Sequence, residues 1–196
     1  SLSNVKFNIA TPKHPMPYDP ANFSLSYSHS ESNKTGETTA WETDKQWNGA
    51  FNYSYSPNYK PFEPFKETIK SKSKWWDIIR EQNFNYLPQS LTFNTSIIRN
   101  YYEFQERDID NLEDATSLPL SFSKEFLWNR DFSIRWDLTK SLRMSFSSAT
   151  HAEIEEPNMP VNKDLYADQY TAWKDSVKHS ILGFGTPISY QQDFTA

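Results

Sequence analysis

The amino-acid sequence predicts an all-β fold: about seven antiparallel strands and two short helical insertions, forming a segment of a larger transmembrane β-barrel. Large aromatic residues alternate with serine and asparagine, and one alternating run is longer than the strands of soluble proteins. The mean hydropathy is only -0.81, although aromatic residues make up 16% of the chain. Disordered chains are poor in aromatic residues, so the low hydropathy does not indicate disorder. It indicates strands that have one face in contact with water. We expect residues 1–196 to belong to one barrel domain without an internal boundary.

The composition restricts the classes of function that are open to the chain. A net charge of -5 provides no basic excess to neutralise phosphates, so we expect no nucleic-acid partner. The absence of cysteine excludes disulfides, thiol catalysis and thiolate metal sites. No apolar run reaches the roughly 20 residues of a membrane-spanning helix, whereas barrel strands need apolar residues only at every second position.

Alternation predicts the strands, because successive side chains of a strand point to opposite faces. Six short runs place apolar residues on one face: Val5, Phe7 and Ile9; Phe23, Leu25 and Tyr27; Phe51, Tyr53 and Tyr55; Leu91, Phe93 and Ile97; Leu142, Met144 and Phe146; Ile188, Tyr190 and Phe194. The intervening residues are mostly serine, asparagine and threonine. This pattern is typical of strands with one dry face and one wet face.

The longest alternating run covers residues 120–138. Its apolar even positions are Leu120, Phe122, Phe126, Trp128, Phe132, Ile134, Trp136 and Leu138, interrupted by Lys124 and Arg130. A run of this length extends over roughly 60 Å, whereas a tilted membrane strand needs about 9–11 residues. We therefore expect the strand to cross a bilayer and project beyond it, with Arg130 outside the hydrocarbon layer.

The long run and the next one predict a hairpin with a tight turn at Thr139-Lys140. In its membrane-embedded part we expect even-numbered residues to face lipid: Phe132, Ile134, Trp136, Met144 and Phe146. The alternate residues are expected to line a wet lumen: Ser133, Arg135, Asp137, Arg143 and Ser145. The physical reason is that an arginine facing hydrocarbon costs about 2–4 kcal/mol near the midplane.

Two segments depart from the period of two and predict helices. Residues 67–81 carry apolar side chains at helical spacing: Ile69, Trp75, Trp76, Ile78 and Ile79. Residues 164–182 carry a more regular stripe: Tyr166, Tyr170, Trp173, Val177 and Ile181. Asp164 is the expected N-cap and Gly183 the expected stop. We expect the stripe of the second helix to pack against a neighbouring wall or loop.

No residue pattern predicts catalysis, a cofactor or a metal site. His151 and Glu153 are two apart but are expected to be solvated, as is the acidic cluster of Asp108, Asp110, Asn111, Glu113 and Asp114, which lacks the glycine and the spacing of a calcium loop. Trp75 and Trp76 are expected to pack the helix or to anchor it at an interface, rather than to stack on a sugar. We therefore predict that the chain is not an enzyme.

About seven strands are too few to close a bacterial barrel, and their number is odd, so we expect other residues to complete the sheet. Alternation alone also allows a soluble antiparallel β-sandwich that binds glycans. A fragment of another outer-membrane barrel, of the nutrient-transporter or lipopolysaccharide-insertion type, is a further alternative.

Four aromatic-rich stretches resemble the SprA family (also called Sov), the giant outer-membrane translocon of type IX secretion in Bacteroidota. They are residues 51–65 (FNYSYSPNYKPFEPF), 86–95 (YLPQSLTFNT), 128–139 (WNRDFSIRWDLT), and 175–177 (DSV) followed by 185–194 (GTPISYQQDF). The resemblance implies a single-chain barrel of about 36 strands in a Gram-negative outer membrane. It also implies a wide lumen that passes folded cargo with a C-terminal signal, a lateral opening, and binding of PorV or of a plug protein. No residue of this chain matches a family motif for those contacts.

Overall fold

The computed structural model of the chain describes residues 1–6, 16–57, 62–63, 83–108, 118–139, 141–161 and 167–196. The strands are β1 (Leu2–Lys6), β2 (Phe23–Lys34), β3 (Thr39–Tyr55), β4 (Ser90–Glu106), β5 (Ser121–Asp137), β6 (Arg143–Glu153) and β7 (Thr186–Thr195). A short 3₁₀ helix, Pro20–Asn22, precedes β2, and one α-helix, α1 (Ala167–Leu182), lies between β6 and β7.

The seven strands form one antiparallel sheet in chain order, from β1 at one edge to β7 at the other. The expectation of an all-β fold with seven antiparallel strands is confirmed. The sheet is not closed, since β1 and β7 are not paired with each other. All strands of the described residues belong to this sheet, so these residues form no second sheet against which it could pack.

The central strands β3, β4 and β5 are long, with 17 residues each. At about 3.3 Å per residue each extends over roughly 55 Å. β5 pairs with β6 as the sequence predicts, and Ile134 lies opposite Phe146. The amide of Thr139 donates to the carbonyl of Leu142 at 3.2 Å across the turn, in which Lys140 lies outside the described residues.

The connections divide between the two ends of the sheet because every strand pair is antiparallel. At the hairpin end, which contains the β5–β6 turn, β1 connects to β2 and β3 to β4. At the helix end, β2 connects to β3, β4 to β5, and β6 to β7 through α1. The predicted helix at 67–81 falls in the β3–β4 connection and lies outside the described residues.

The helix predicted at 164–182 is confirmed over Ala167–Leu182, while Asp164 and Tyr166 lie outside the described residues. Val177 is buried in a cluster with Phe126 and Ile154, and Trp173 packs against that cluster. Two members of the predicted stripe therefore contact the protein interior. The helix ends at Leu182, directly before Gly183. Phe184 and Gly185 then adopt positive φ angles of 65° and 69°, which turn the chain back into β7.

Candidate functional site on the two faces of the sheet

The strand register sorts the side chains onto two faces of different chemistry, because directly paired residues of neighbouring strands share a face. The residues expected to face lipid lie on one side, which we call the apolar face: Phe132, Ile134 and Trp136 of β5, with Met144 and Phe146 of β6. Those expected to line the lumen lie on the opposite side, which we call the polar face: Ser133, Arg135, Asp137, Arg143 and Ser145.

The apolar face carries a continuous band of large side chains across the sheet, which we call the apolar band. Its apolar members are Leu2, Val5, Phe23, Leu25, Tyr27, Phe51, Tyr53, Tyr55, Leu91, Phe93, Ile97, Trp128, Phe132, Ile134, Trp136, Met144, Phe146, Tyr190 and Phe194. Rings of neighbouring strands contact one another, with centroids 5.0 Å apart for Phe23 and Tyr53 and 6.1 Å apart for Phe132 and Phe146.

Much of the apolar band is exposed. Leu25 on β2 is 54% exposed, Ile97 on β4 is 40% exposed, and Phe194 on β7 is 63% exposed. Tyr55, by contrast, is buried. A contiguous exposed apolar surface of this kind marks a site of contact with lipid or with another protein.

The polar face is built from hydroxyl and amide groups at the same height along the strands as the apolar band. Across β4 and β5, the hydroxyls of Thr92 and Ser133 lie 2.6 Å apart. The Asn129 amide donates to the Ser96 hydroxyl at 3.2 Å, and Asn129 also contacts the His151 ring at 2.8 Å. These groups pair with one another and remain suited to contact with water.

Three charged side chains of the polar face lie close together at the hairpin end. Arg135 Nε lies 3.6 Å from the Asp137 carboxylate, and Arg143 Nε of the next strand lies 4.0 Å from the same carboxylate. The arginine side chains are 58% and 70% exposed, so these pairs contribute little to stability.

Among the described residues, Arg130 is the one charged side chain within the apolar band. Its guanidinium lies over the Trp128 ring, 4.6 Å from the centroid, and donates to the Phe184 carbonyl at 3.0 Å. The side chain therefore reaches towards the helix end, away from the middle of the band.

Beyond Trp128, towards the helix end, α1 and residues 154–161 cover the apolar face; we call these two segments the cap. Phe126 of β5 packs with Ile154 and Val177 of the cap, and all three are buried. Trp128 and Trp173 border this cluster. The packing fastens the cap to the part of β5 beyond Trp128.

A buried ion pair reinforces the contact between the cap and the sheet. Arg99 of β4 donates to both oxygens of Glu156 in the cap, at 2.6 and 3.1 Å. Its guanidinium lies between the rings of Trp47 and Trp173, 4.7 and 4.9 Å from their centroids. The Trp173 indole also donates to Glu156 at 2.8 Å, so the buried carboxylate is compensated three times.

Two further side chains, one on β4 and one on β5, hold residues 154–161. Lys124 donates to the carbonyls of Pro157 and Met159, and burial lowers the pKa of its ammonium group while Glu156 opposes that shift. Tyr101 donates to Glu103 and accepts from the amide of Val161. Burial and the Glu103 hydrogen bond raise the pKa of the Tyr101 hydroxyl.

The alternating sequence pattern did not predict that the cap contacts β4 and β5. Glu156 is indistinguishable in sequence from the neighbouring exposed Glu155, and Arg99 from any solvated arginine. Their pairing links residues 57 positions apart.

The remaining predicted features are placed as follows. His151 and Glu153 lie on the polar face of β6, and the part of the chain that the structure describes contains no group of three or more potential metal ligands. Residues 109–117, with most of the acidic cluster, and the Trp75-Trp76 pair lie outside the described residues. No described helix has the length and hydropathy that a membrane span requires.

No family model matches the sequence, and no curated protein is significantly similar to it.

Proposed function

We propose that the chain forms part of the wall of a very large outer-membrane β-barrel, the protein-conducting channel of type IX secretion. The observation that carries the proposal is the pairing of an exposed apolar band with a polar face across one open antiparallel sheet. In this arrangement the band faces lipid and the polar face lines a water-filled lumen.

The dimensions of the apolar band support the proposal. Trp136 and Trp128 mark its two limits on β5 and are eight residues apart, which corresponds to about 26 Å along the strand. At the usual barrel tilt of about 40° this gives roughly 20 Å across the membrane, similar to the apolar band of about 25 Å in known barrels. Tryptophan at both limits fits the aromatic girdles at the two interfaces.

The open edges support a wall that continues on both sides. Backbone groups of an unpaired edge cannot remain in lipid, where no water satisfies them. The edge strands β1 and β7 therefore pair, in the proposed barrel, with strands that other residues provide. The stretches that resemble the SprA family favour the type IX translocon over a nutrient transporter or a lipopolysaccharide-insertion barrel.

The soluble, glycan-binding β-sandwich receives less support. A sandwich buries the apolar face of one sheet against a second sheet. The described residues supply a single sheet, and Leu25 and Phe194 are exposed on its apolar face.

The orientation of the wall is tested with nitroxide labels on adjacent residues of the complete barrel in lipid bilayers. Leu25→Cys lies on the apolar face and Ser26→Cys on the polar face of β2, and this chain has no cysteine of its own. We expect the first label to be relaxed by oxygen, which partitions into lipid, and the second by a water-soluble nickel chelate. Equal relaxation of both labels by the chelate would overturn the proposed membrane position.

Passage of cargo is tested with a photo-crosslinking amino acid at Ser133 during secretion. We expect crosslinks to proteins that carry a type IX C-terminal signal, because Ser133 lies on the proposed lumen face. Ile134 is the matched control on the opposite face and should crosslink to lipid. A barrel that shows lipid contact at Ile134 but no cargo at Ser133 would retain the membrane position and lose the secretion function.

A further inference from the structure

A cavity of about 600 Å³ lies on the apolar face, between β4–β7 and the turn that follows α1. Its lining includes one cation, three hydroxyl side chains and two of the aromatic rings: Arg130, Ser148, Thr150, Tyr190, Phe132 and Phe184. The volume falls within the range of about 300–1,000 Å³ that small-molecule sites occupy.

The guanidinium in this cavity has unused hydrogen-bonding capacity. Arg130 Nη2 donates to the Phe184 carbonyl, but Arg130 Nε is buried and has no partner. No described carboxylate forms a salt bridge with Arg130. Because a guanidinium carries five donors and a full charge, the site is suited to an anion.

The neighbouring strands place hydroxyl groups beside this cation. Thr150 of β6 lies directly opposite Arg130, and Tyr190 of β7 lies opposite Thr150. Ser148 and Gln192 lie side by side at the next level of the same face. Polar side chains are therefore gathered around Arg130 at one position of the otherwise apolar band.

The position of the cavity along the strands matches a membrane interface. Trp128 lies next to Arg130 on the helix-end side and is one of the two tryptophans that limit the apolar band on β5. The charged residue Arg99 lies beyond Trp128, further towards the helix end. On the other side, Phe132 and Phe146 continue the apolar surface towards the middle of the band. An occupant with a polar head at Arg130 would have its apolar part on these rings.

We propose that this cavity binds the phosphate headgroup of an anionic membrane lipid, with its acyl chains lying along the apolar band. The proposal rests on the membrane position of the band and adds a ligand to it. Phosphate forms charge-assisted hydrogen bonds with a guanidinium, and the hydroxyls supply further donors. The apolar lining favours a lipid over a free anion, because a free anion leaves Phe132 and Phe184 in contact with water.

The site is tested by titrating the complete detergent-solubilised barrel, observed by native mass spectrometry, with four ligands. These are short-chain phosphatidylglycerol, phosphatidylcholine, diacylglycerol and inorganic phosphate. We expect phosphatidylglycerol to bind most tightly and inorganic phosphate not to bind. Arg130→Gln should weaken phosphatidylglycerol binding roughly tenfold or more and leave diacylglycerol binding unchanged.

Arg135→Gln is the matched control, since it removes an arginine from the polar face and should leave all four affinities unchanged. Ser148→Phe fills the cavity while keeping Arg130, so it should also weaken phosphatidylglycerol binding, and it replaces Arg130→Gln if that variant fails to assemble. Equal affinity in the wild type and both cavity variants would overturn the lipid site. Binding of inorganic phosphate as tight as that of phosphatidylglycerol would overturn it in favour of a simple anion site.

The nitroxide pair at Leu25 and Ser26 separates the two proposals. A lipid-relaxed label at Leu25 together with unchanged lipid affinity in Arg130→Gln would remove the headgroup site alone. Water-relaxed labels at both positions would remove the membrane position and the site with it.

Discussion

At the scale of single residues, Ile134 and Ser133 are adjacent in β5 but lie on opposite faces of the sheet. We predict that Ile134→Arg reduces the amount of folded barrel in the outer membrane. A charge that faces hydrocarbon near the midplane costs about 2–4 kcal/mol for arginine. The measurement is the heat-dependent gel mobility of the barrel in isolated outer membranes. Ser133→Arg is the matched control and should assemble normally, whereas equal losses at both positions would show that the two faces see the same solvent.

Gly185 joins α1 to β7 at a point where no side chain fits. Its φ is +69°, and an added Cβ would lie 2.7 Å from the Glu153 carbonyl oxygen and 3.0 Å from Ile154. We predict that Gly185→Ala destabilises the connection by about 1–3 kcal/mol, the usual cost of a strained backbone position, and speeds proteolysis after Leu182. Gly183→Ala is the control, since its Cβ would lie at an ordinary 3.5 Å from the nearest atoms. Equal proteolysis rates in the two variants would contradict this account.

Arg130 shows what alternation reveals about one residue and what it misses. The sequence identifies it as a break in the apolar face and predicts that its charge lies outside the hydrocarbon layer. The structure shows the guanidinium over Trp128 with a hydrogen bond to Phe184, which is 54 positions away. A contact over that distance depends on the path of α1 and β7, so the local pattern contains no information on it.

At the scale of elements, the long strands have two parts with different surroundings. In the apolar band, rings alternate with hydroxyl and amide groups, and this is where alternation located the strands. Beyond it, β2 and β3 continue with Glu31 and Lys45 on the same face, and an ion pair joins these residues at 3.0 Å. The pairing persists, but the apolar pattern ends because this part of the face does not need to be apolar. The short runs therefore predicted the positions of β2, β3 and β4 and underestimated their lengths.

The helix stripe was predictable, whereas its contact surface was not. Trp173 and Val177 pack against the sheet as the stripe predicts, and Ile181 remains 38% exposed. The periodicity of a helix defines which side is apolar and carries no information on its partner. The partner here is the part of β4 and β5 beyond Trp128, which alternation assigned to the same surface as the apolar band.

The cap depends on the buried pair between Arg99 and Glu156. The side chains are 13% and 4% exposed, so removal of one charge leaves the other buried without its counter-charge. We predict that Glu156→Gln weakens attachment of the cap by about 3–5 kcal/mol. The measurement is hydrogen exchange of the α1 amides, which should accelerate.

Glu155→Gln is the control for this prediction, because Glu155 is exposed and accepts from the Thr186 hydroxyl at 2.6 Å. Its exchange pattern in α1 should match that of the wild type. Unchanged exchange in Glu156→Gln would mean that the apolar cluster of Phe126, Ile154 and Val177 holds the cap without the ion pair.

At the scale of the whole molecule, one sheet carries two surfaces that require different solvents. The closed barrel that we propose would satisfy both, because it would place the apolar band against lipid and remove the free edges. In water, a single open sheet would expose both the large rings of its apolar face and its two unpaired edges. The arrangement of charge agrees with this separation, since charged residues of the apolar face are concentrated beyond Trp128, under or beside the cap.

We predict that residues 1–196 do not fold as a soluble monomer. Among the described residues, the buried hydrophobic side chains are Tyr55, Tyr101, Phe126, Ala152, Ile154 and Val177, which form a small core for a chain of this length. Ordering the backbone costs roughly 1–2 kcal/mol per residue, and burial on this scale does not offset it. Expression without detergent should give aggregate, measured as the fraction of the chain that sediments. A monomer that stays soluble without detergent and unfolds in one cooperative transition would contradict the prediction and favour the soluble sandwich.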